Sequence, residues 1–268
     1  MAVVREDELD QVRAGRRRRR RGRGLIAFAV VFLLLAGLFI VADRVASYAA
    51  ERTIATQVKK ELAAREITTP AEPVVGVGGF PFLTQVARGK YDRITIHLDR
   101  PASQGVALDS LDVTATGVNA STSAIVNGTG TITADDINGL ATIGWAAVSK
   151  LMNTTGFGGT NATASALPDG QVQVRVPVSI NNLSTTIVAT GTLTVGNGVA
   201  HVNIVKVATE GGDIPQIISD MIGSIKQDLS VDVRIPRLPY DLQVRSVKAT
   251  PQGLTVTAVA QNVPLSGR

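Results

Sequence analysis

The apolar and polar positions divide this chain into one continuous apolar run, several stretches of strict alternation and a few of helical spacing. Residues 25–42 (LIAFAVVFLLLAGLFIVA) carry no charge and no strongly polar side chain. As a helix rising about 1.5 Å per residue they span roughly 27 Å, close to the about 30 Å of a bilayer's hydrocarbon core. In lipid the helix is the only conformation open to them, because every N–H and C=O has to find its partner within the segment. Residues 43–64 continue the helix. Ala46, Ala50, Ile54, Val58 and Leu62 recur at every fourth position and form one apolar face, while Arg52, Lys59, Lys60 and Glu61 lie off it. Pro70 and Pro73 follow and prevent its extension.

Further along, alternation takes over. In residues 91–98 (YDRITIHL) Ile94, Ile96 and Leu98 share a face opposite Arg93, Thr95 and His97, the pattern of a half-buried strand. Strands are expected likewise at 106–108, 111–118, 123–133, 162–166, 171–180, 184–195, 198–207, 231–235, 242–249 and 254–260. Val172, Val174, Val176 and Val178 line one face of the fifth of these, and Gly196-Asn197 is a hairpin-turn signal. Two further helices are expected. Residues 133–152 open with Thr133, Asp135 and Asp136 as cap and first-turn acids, and carry Ile137, Leu140, Ile143, Val148 and Leu151, weakened by Gly139 and Gly144. Residues 214–229 carry the apolar stripe Ile217, Ile218, Met221, Ile222, Ile225 and Leu229. Between the first helix and the first strand, Phe80, Phe82 and Leu83 cluster around Pro81, as either a core plug or an exposed apolar contact. The class is α+β: a long curved antiparallel sheet wrapped around amphipathic helices, preceded by one transmembrane helix.

Charge sets the orientation. Residues 1–24 hold nine of the 27 basic residues, six of them in the run 16–21, and four of the 22 acidic ones. Positive flanks stay on the cytoplasmic side, so the chain reads as a basic cytoplasmic tail (1–24), a signal anchor (25–42) and an extracytoplasmic domain (43–268). A cleaved secretory signal is the alternative. Against it, the apolar run exceeds the usual length and Ile40 stands where a cleavage site after Ala42 needs a small residue. Without the tail the charges balance at 18 of each sign. A neutral body lacks the clustered basic face that nucleic acid requires.

Chemistry is sparse. There is no cysteine, hence no disulfide and no thiolate ligand, and aromatic residues make up only 4% of the chain, so the core is aliphatic. His97 and His201 sit singly in alternating strands. No compact metal-ligand set, P-loop or nucleophile elbow is present, so no catalytic residue, metal or cofactor is expected. An envelope hydrolase or transferase would need Asp92, Asp109, Asp112, Asp135 and Asp136 to converge in a cleft.

The block Gly79-Phe80-Pro81-Phe82-Leu83-Thr84-Gln85-Val86, with Gly89, Tyr91 and Ile94, resembles the signature of the actinobacterial LmeA-like phospholipid-binding family. Asp43-Arg44 with Glu51 and Ala55 upstream, and 238–242 through Gly253-Leu254 to Asn262-Val263-Pro264-Leu265 downstream, extend the resemblance over residues 43–265. It implies a membrane-anchored extracytoplasmic protein that binds phospholipid, with a fold related to the bacterial-permeability-increasing-protein-like carriers and no catalytic motif. In mycobacterial members it also implies a part in elongating the mannan of lipomannan and lipoarabinomannan, with envelope glycosyltransferases as partners. On this reading Phe80, Phe82 and Leu83 gate or line a lipid groove, and Ile217, Ile218, Met221, Ile222 and Ile225 lie beneath it. The alternative is a non-catalytic envelope adaptor that acts through protein contacts.

Overall fold

The computed structural model describes residues 8–103, 106–121, 123–124, 130–154, 161–180, 183–196, 198–210, 230–234 and 238–265. It is an α+β chain with one long N-terminal helix and two antiparallel sheets. Helix α1 (Glu8–Ala64) is continuous over 57 residues. The large apolar side chains of 25–42 are exposed, and this is one helix long and apolar enough to cross a membrane. Its second half packs on the body, where Ala46, Ala50, Ile54 and Ala55 meet the core.

The first sheet has the order β1-β2-β5-β6-β13-β12. Its strands are β1 (Val74–Gly78), β2 (Lys90–Asp99), β5 (Ser110–Ala120), β6 (Ile132–Gly144), β12 (Gln243–Thr250) and β13 (Gly253–Pro264). A two-stranded ribbon, β3 (Ala102–Ser103) with β4 (Val106–Ala107), lies in the β2–β5 connection. Thr68 and Ala102 exchange backbone hydrogen bonds at 2.9 Å and tie the segment after α1 to that ribbon. Helix α2 (Phe82–Arg88) sits at the opposite end, between β1 and β2, and ends on Gly89 in the left-handed region.

The core explains why this sheet bends. Ile94, Ala115, Ile137 and Ala260 form one cross-strand row of buried side chains. Tyr91, Val118, Ala134 and Val263 are buried as well, three residues along each strand. In a regular strand, residues three apart point to opposite faces. All four strands break alternation at the same level, around Asp92, Gly117, Asp135 and Asn262, where the ladder pairing is interrupted. Gly117 at φ 60 and Asn262 at φ 51 take the left-handed backbone this requires. The crease lets residues on both sides of it, Tyr91 with Ile94 and Val118 with Ala115, join the one core that α1 and α2 pack against.

One expected element is corrected. Residues 133–152 are not a single helix: β6 runs to Gly144 and only α3 (Trp145–Thr154) is helical. Asp135 and Asp136 are strand residues, not helix caps. The inward positions of β6 beyond the crease are Ile137, Gly139, Ala141 and Ile143, and pairing with β5 on one side and β13 on the other overrides any helical spacing. The expected strand at 123–133 begins only at Ile132 among the described residues, and the expected helix at 214–229 lies outside them.

The second sheet has the order β11-β10-β9-β8-β7. These are β7 (Thr163–Ala166), β8 (Val172–Ile180), β9 (Leu183–Gly196), β10 (Val199–Glu210) and β11 (Ser230–Arg234). The antiparallel strands are thus shared between two sheets, which meet where β12 approaches β9 and β7. α3 joins them as well. The Trp145 indole donates to the Thr250 carbonyl at 3.0 Å, and the Ser149 hydroxyl accepts from the Ala164 N–H at 3.0 Å.

The crease makes a prediction. A Cβ at Gly117 meets the Asp135 carboxylate and takes a strained backbone, whereas one at Gly139 in β6 meets only a carbonyl at 3.8 Å. Gly117→Ala is expected to lower stability by about 1–3 kcal/mol, the ordinary range for a non-glycine residue held in the left-handed region. Gly139→Ala should change it far less. Denaturant unfolding of both variants checks the difference, and equal effects would remove the crease as a conformational requirement.

Candidate functional site

Two features stand out: the junction of α1 with α2, and the apolar face of the second sheet. At the junction, Asp43 is the first residue after the apolar run, and it is 0% exposed. Pro81 precedes α2 and supplies no side-chain cap. The Asp43 carboxylate replaces it from another helix: Oδ1 accepts from the Leu83 N–H at 2.8 Å and Oδ2 from the Arg44 guanidinium at 2.6 Å. A carboxylate at a helix N-terminus satisfies orphan donors and sits at the positive end of the helix dipole. Burial by itself pushes the Asp43 carboxyl up. The Leu83 N–H, the Arg44 guanidinium and the Phe82 N–H outweigh it and hold the carboxyl below the ordinary aspartate range.

Two turns along α1, on the same side, Glu51 accepts from the Val77 N–H of edge strand β1 at 3.0 Å. On α2, buried Gln85 completes the clamp. Its Oε1 accepts from the Asp92 N–H at 2.8 Å, at the crease, and its Nε2 donates to the Gly78 carbonyl at 3.2 Å. Three polar side chains therefore join anchor helix, short helix and sheet.

The F-P-F-L block divides between inside and outside. Phe82 is buried and packs on Tyr91 with ring centroids 6.2 Å apart. Leu83 is half-buried at the start of α2. Phe80 points the other way: it is 60% exposed, with the Arg44 guanidinium 5.3 Å above its ring. The three residues do not share one surface. Ile217, Ile218, Met221, Ile222 and Ile225 lie outside the described residues.

The second sheet supplies the apolar surface. Val172, Val174, Val176 and Val178 of β8 lie on the face that β9 continues through Ile187, Ala189 and Leu193 and β10 through Val202, Ile204 and Val207. β11 pairs with β10 at the edge of this sheet. The opposite face carries Gln173, Arg175, Thr190, Thr192, Thr194, His201 and Asn203. Every one of the apolar positions named on β8, β9 and β10 is half-buried, whereas the first sheet's equivalent face is fully buried at Ile94, Ala115, Ile137 and Ala260 and half-buried farther along, at Val113, Ala141, Ile143 and Val256. Among the described elements, α3 and β12 approach this sheet at β7 and β9. The valine alternation in β8 was visible in the sequence. Its continuation over two more strands depends on register, and Asp43, Glu51 and Gln85 as a clamp depend on contacts made only in the fold.

The acids do not converge. Asp112 meets His97 at 2.7 Å on an exposed ladder, Asp136 accepts from Gln261 at 3.2 Å, Asp135 lies beside Gly117 and Asp92 beside Gly79. Among the described residues no group of three His, Asp or Glu side chains could hold a metal ion.

Comparison with known proteins gives one match. Residues 41–259 fit the model of a family described as LmeA-like phospholipid-binding. The matched span opens two residues before Asp43 and takes in both the clamp and the second sheet. A search of curated proteins finds no match.

The clamp sets a pH dependence. Because Asp43 is depressed in the folded state, its contribution is fully present above the ordinary aspartate pKa. It declines as pH falls below that value and is lost once pH passes the folded one. Thermal unfolding of the detergent-solubilised chain across acid pH should show wild type losing stability over this window. Asp43→Asn should be less stable at neutral pH and flatter across it. Parallel curves for the two proteins would exclude Asp43 as the acid-sensitive group.

Proposed function

This chain belongs to the LmeA-like phospholipid-binding family, and from that premise we propose that it is a membrane-tethered carrier of phospholipid, seated on the apolar face of the second sheet. The observation that carries this reading is that face itself. Val174, Val176, Ile187, Val202 and Ile204 form a continuous apolar surface over three strands that stays half-buried throughout, with none of the fully buried positions that the first sheet has at Ile94, Ala115, Ile137 and Ala260. An acyl chain laid along it removes apolar area from water on both partners. At roughly 0.8 kcal/mol per buried CH2, ten such groups contribute on the order of 8 kcal/mol before the cost of ordering the lipid. Small branched side chains on a pleated surface offer a smooth trough and demand no particular headgroup.

In this reading the activity is binding, not catalysis, and needs no cofactor. The arginine-rich flank keeps residues 1–24 on the cytoplasmic side and places 43–268 outside. Phe82 and Leu83 serve the lipid indirectly, by fixing α2, while Phe80 faces outward. A part in lipoglycan mannan elongation, beside envelope glycosyltransferases, is the finer form of the proposal. Its test is the length of the mannan in cells that lack the protein.

Native mass spectrometry of the full chain, released from detergent micelles, is expected to show bound phospholipid. Val176→Asp and Ile204→Asp, each placing a charge on the apolar face, should reduce the lipid-bound fraction severalfold. Thr190→Asp, on the polar face of the same sheet, should leave it unchanged. A folded chain that never carries phospholipid sinks the proposal.

A further inference from the structure

We propose that Phe80, with Arg44, Val45 and Tyr48, forms a seat that enters the headgroup layer of the leaflet the anchor crosses, so that the body rests directly on the bilayer. The inference rests on the tether in the preceding reading and not on the lipid trough.

Depth is the first argument. If the hydrocarbon core ends near residue 42, the interfacial zone of about 5–8 Å takes in the next three to five helical residues at about 1.5 Å each. Those residues include Asp43, Arg44 and Val45, with Tyr48 just above. One side of this turn is already used, since Asp43 and Ser47 are buried in the body. The other side is bare: Val45 is 63% and Tyr48 55% exposed. α2 is fastened to Asp43 through the Leu83 N–H, so the loop preceding α2 lies at the same depth.

Phe80 is the second argument. It comes from the body, not from the anchor, and still sits on Arg44. Its position is constrained on both sides. Gly79 has φ 94, and a Cβ there collides with the Asp92 carboxylate and the Gln85 amide, while Pro81 follows. A rigid loop that holds a large aromatic ring outward, within reach of a cation, matches the physics of the interface. Trp and Tyr concentrate at the headgroup level, an apolar ring such as Phe enters the boundary between headgroups and acyl chains, and arginine reaches lipid phosphate with its stem in apolar surroundings. The occupant is the phospholipid leaflet itself, supplying phosphate to Arg44 and upper acyl carbons to Phe80 and Val45.

The full chain, reconstituted into vesicles of phosphatidylcholine and phosphatidylglycerol, provides the test. Trp145 is the chain's one tryptophan. It follows Gly144, which ends β6 ten residues beyond Ala134, at most about 33 Å along the strand. It therefore serves as an internal reference. Phe80→Trp should add emission at shorter wavelength that is lost when the acyl chains are brominated near the headgroup, while wild-type emission persists. The chain has no cysteine. Phe80→Cys bearing one nitroxide therefore gives a second reading: faster relaxation by oxygen than by a water-soluble nickel chelate. A chain that floats with the vesicles but keeps residue 80 in water by both measures overturns the seat alone. A chain that does not float overturns the tether and the seat together. Quenching and oxygen access at residue 80 without retained phospholipid in the trough supports the seat and refutes only the carrier reading.

Discussion

One carboxylate, Asp43, determines how the body sits on its anchor. It is the first residue beyond the apolar run of α1, and it is fully buried there. A buried carboxylate is tolerable only when hydrogen bonds and a cation replace its water. Here the N-terminus of α2 and Arg44 do so. The requirement is mutual, because α2 has no cap of its own. From α2 the dependence runs onward through Gln85 to the crease at Asp92, and from Glu51 to the edge of β1. α1, α2 and the first sheet are thereby held together, with polar contacts at points where apolar packing alone would let the helix slide or rotate.

The two sheets solve the same problem differently. Both present one apolar and one polar face. The first is creased so that its apolar face follows α1 and α2, and Val118, Tyr91 and Ile137 are buried as a result. The second has a long regular ladder, interrupted between Ile204 and Lys206, and its apolar face is only half removed from water. With few aromatic residues and no disulfide, the fold depends on aliphatic burial for its stability. A face left half-covered is therefore a sacrifice that stability alone does not explain, and a lipid that completes the burial accounts for it.

The sequence made the strands legible wherever alternation was unbroken, as in β2, β8 and β10, and made the anchor legible through its uninterrupted apolar run. It misled at 133–152 for two physical reasons. The crease between Ala134 and Ile137 breaks the period of two, and the inward residues Gly139 and Ala141 carry too little side chain to mark a face. Ile137, Leu140 and Ile143 then imitate helical spacing, although Leu140 faces solvent. The clamp was beyond sequence reasoning of this kind. Asp43 and Leu83 are 40 residues apart and Glu51 and Val77 are 26 apart, and nothing local to either position indicates its partner. The family resemblance pointed to the same residues without giving a reason for them, and the hydrogen bonds supply the reason.

In the proposed reading, the same chemistry argues for α1 as one uncut helix. Cleavage after Ala42 would make Asp43 the first residue and place a charged amino group beside a carboxylate that has no contact with water. It would also open the first four N–H groups of the remaining helix, at the point where that helix supports α2. An ammonium could partly replace Arg44 as the counter-charge. It could not replace the preceding helical turn that fixes the direction of the Asp43 side chain toward the Leu83 N–H. A junction whose geometry depends on residues from both sides of Ala42 is more economically read as the middle of one helix than as the start of a shorter one.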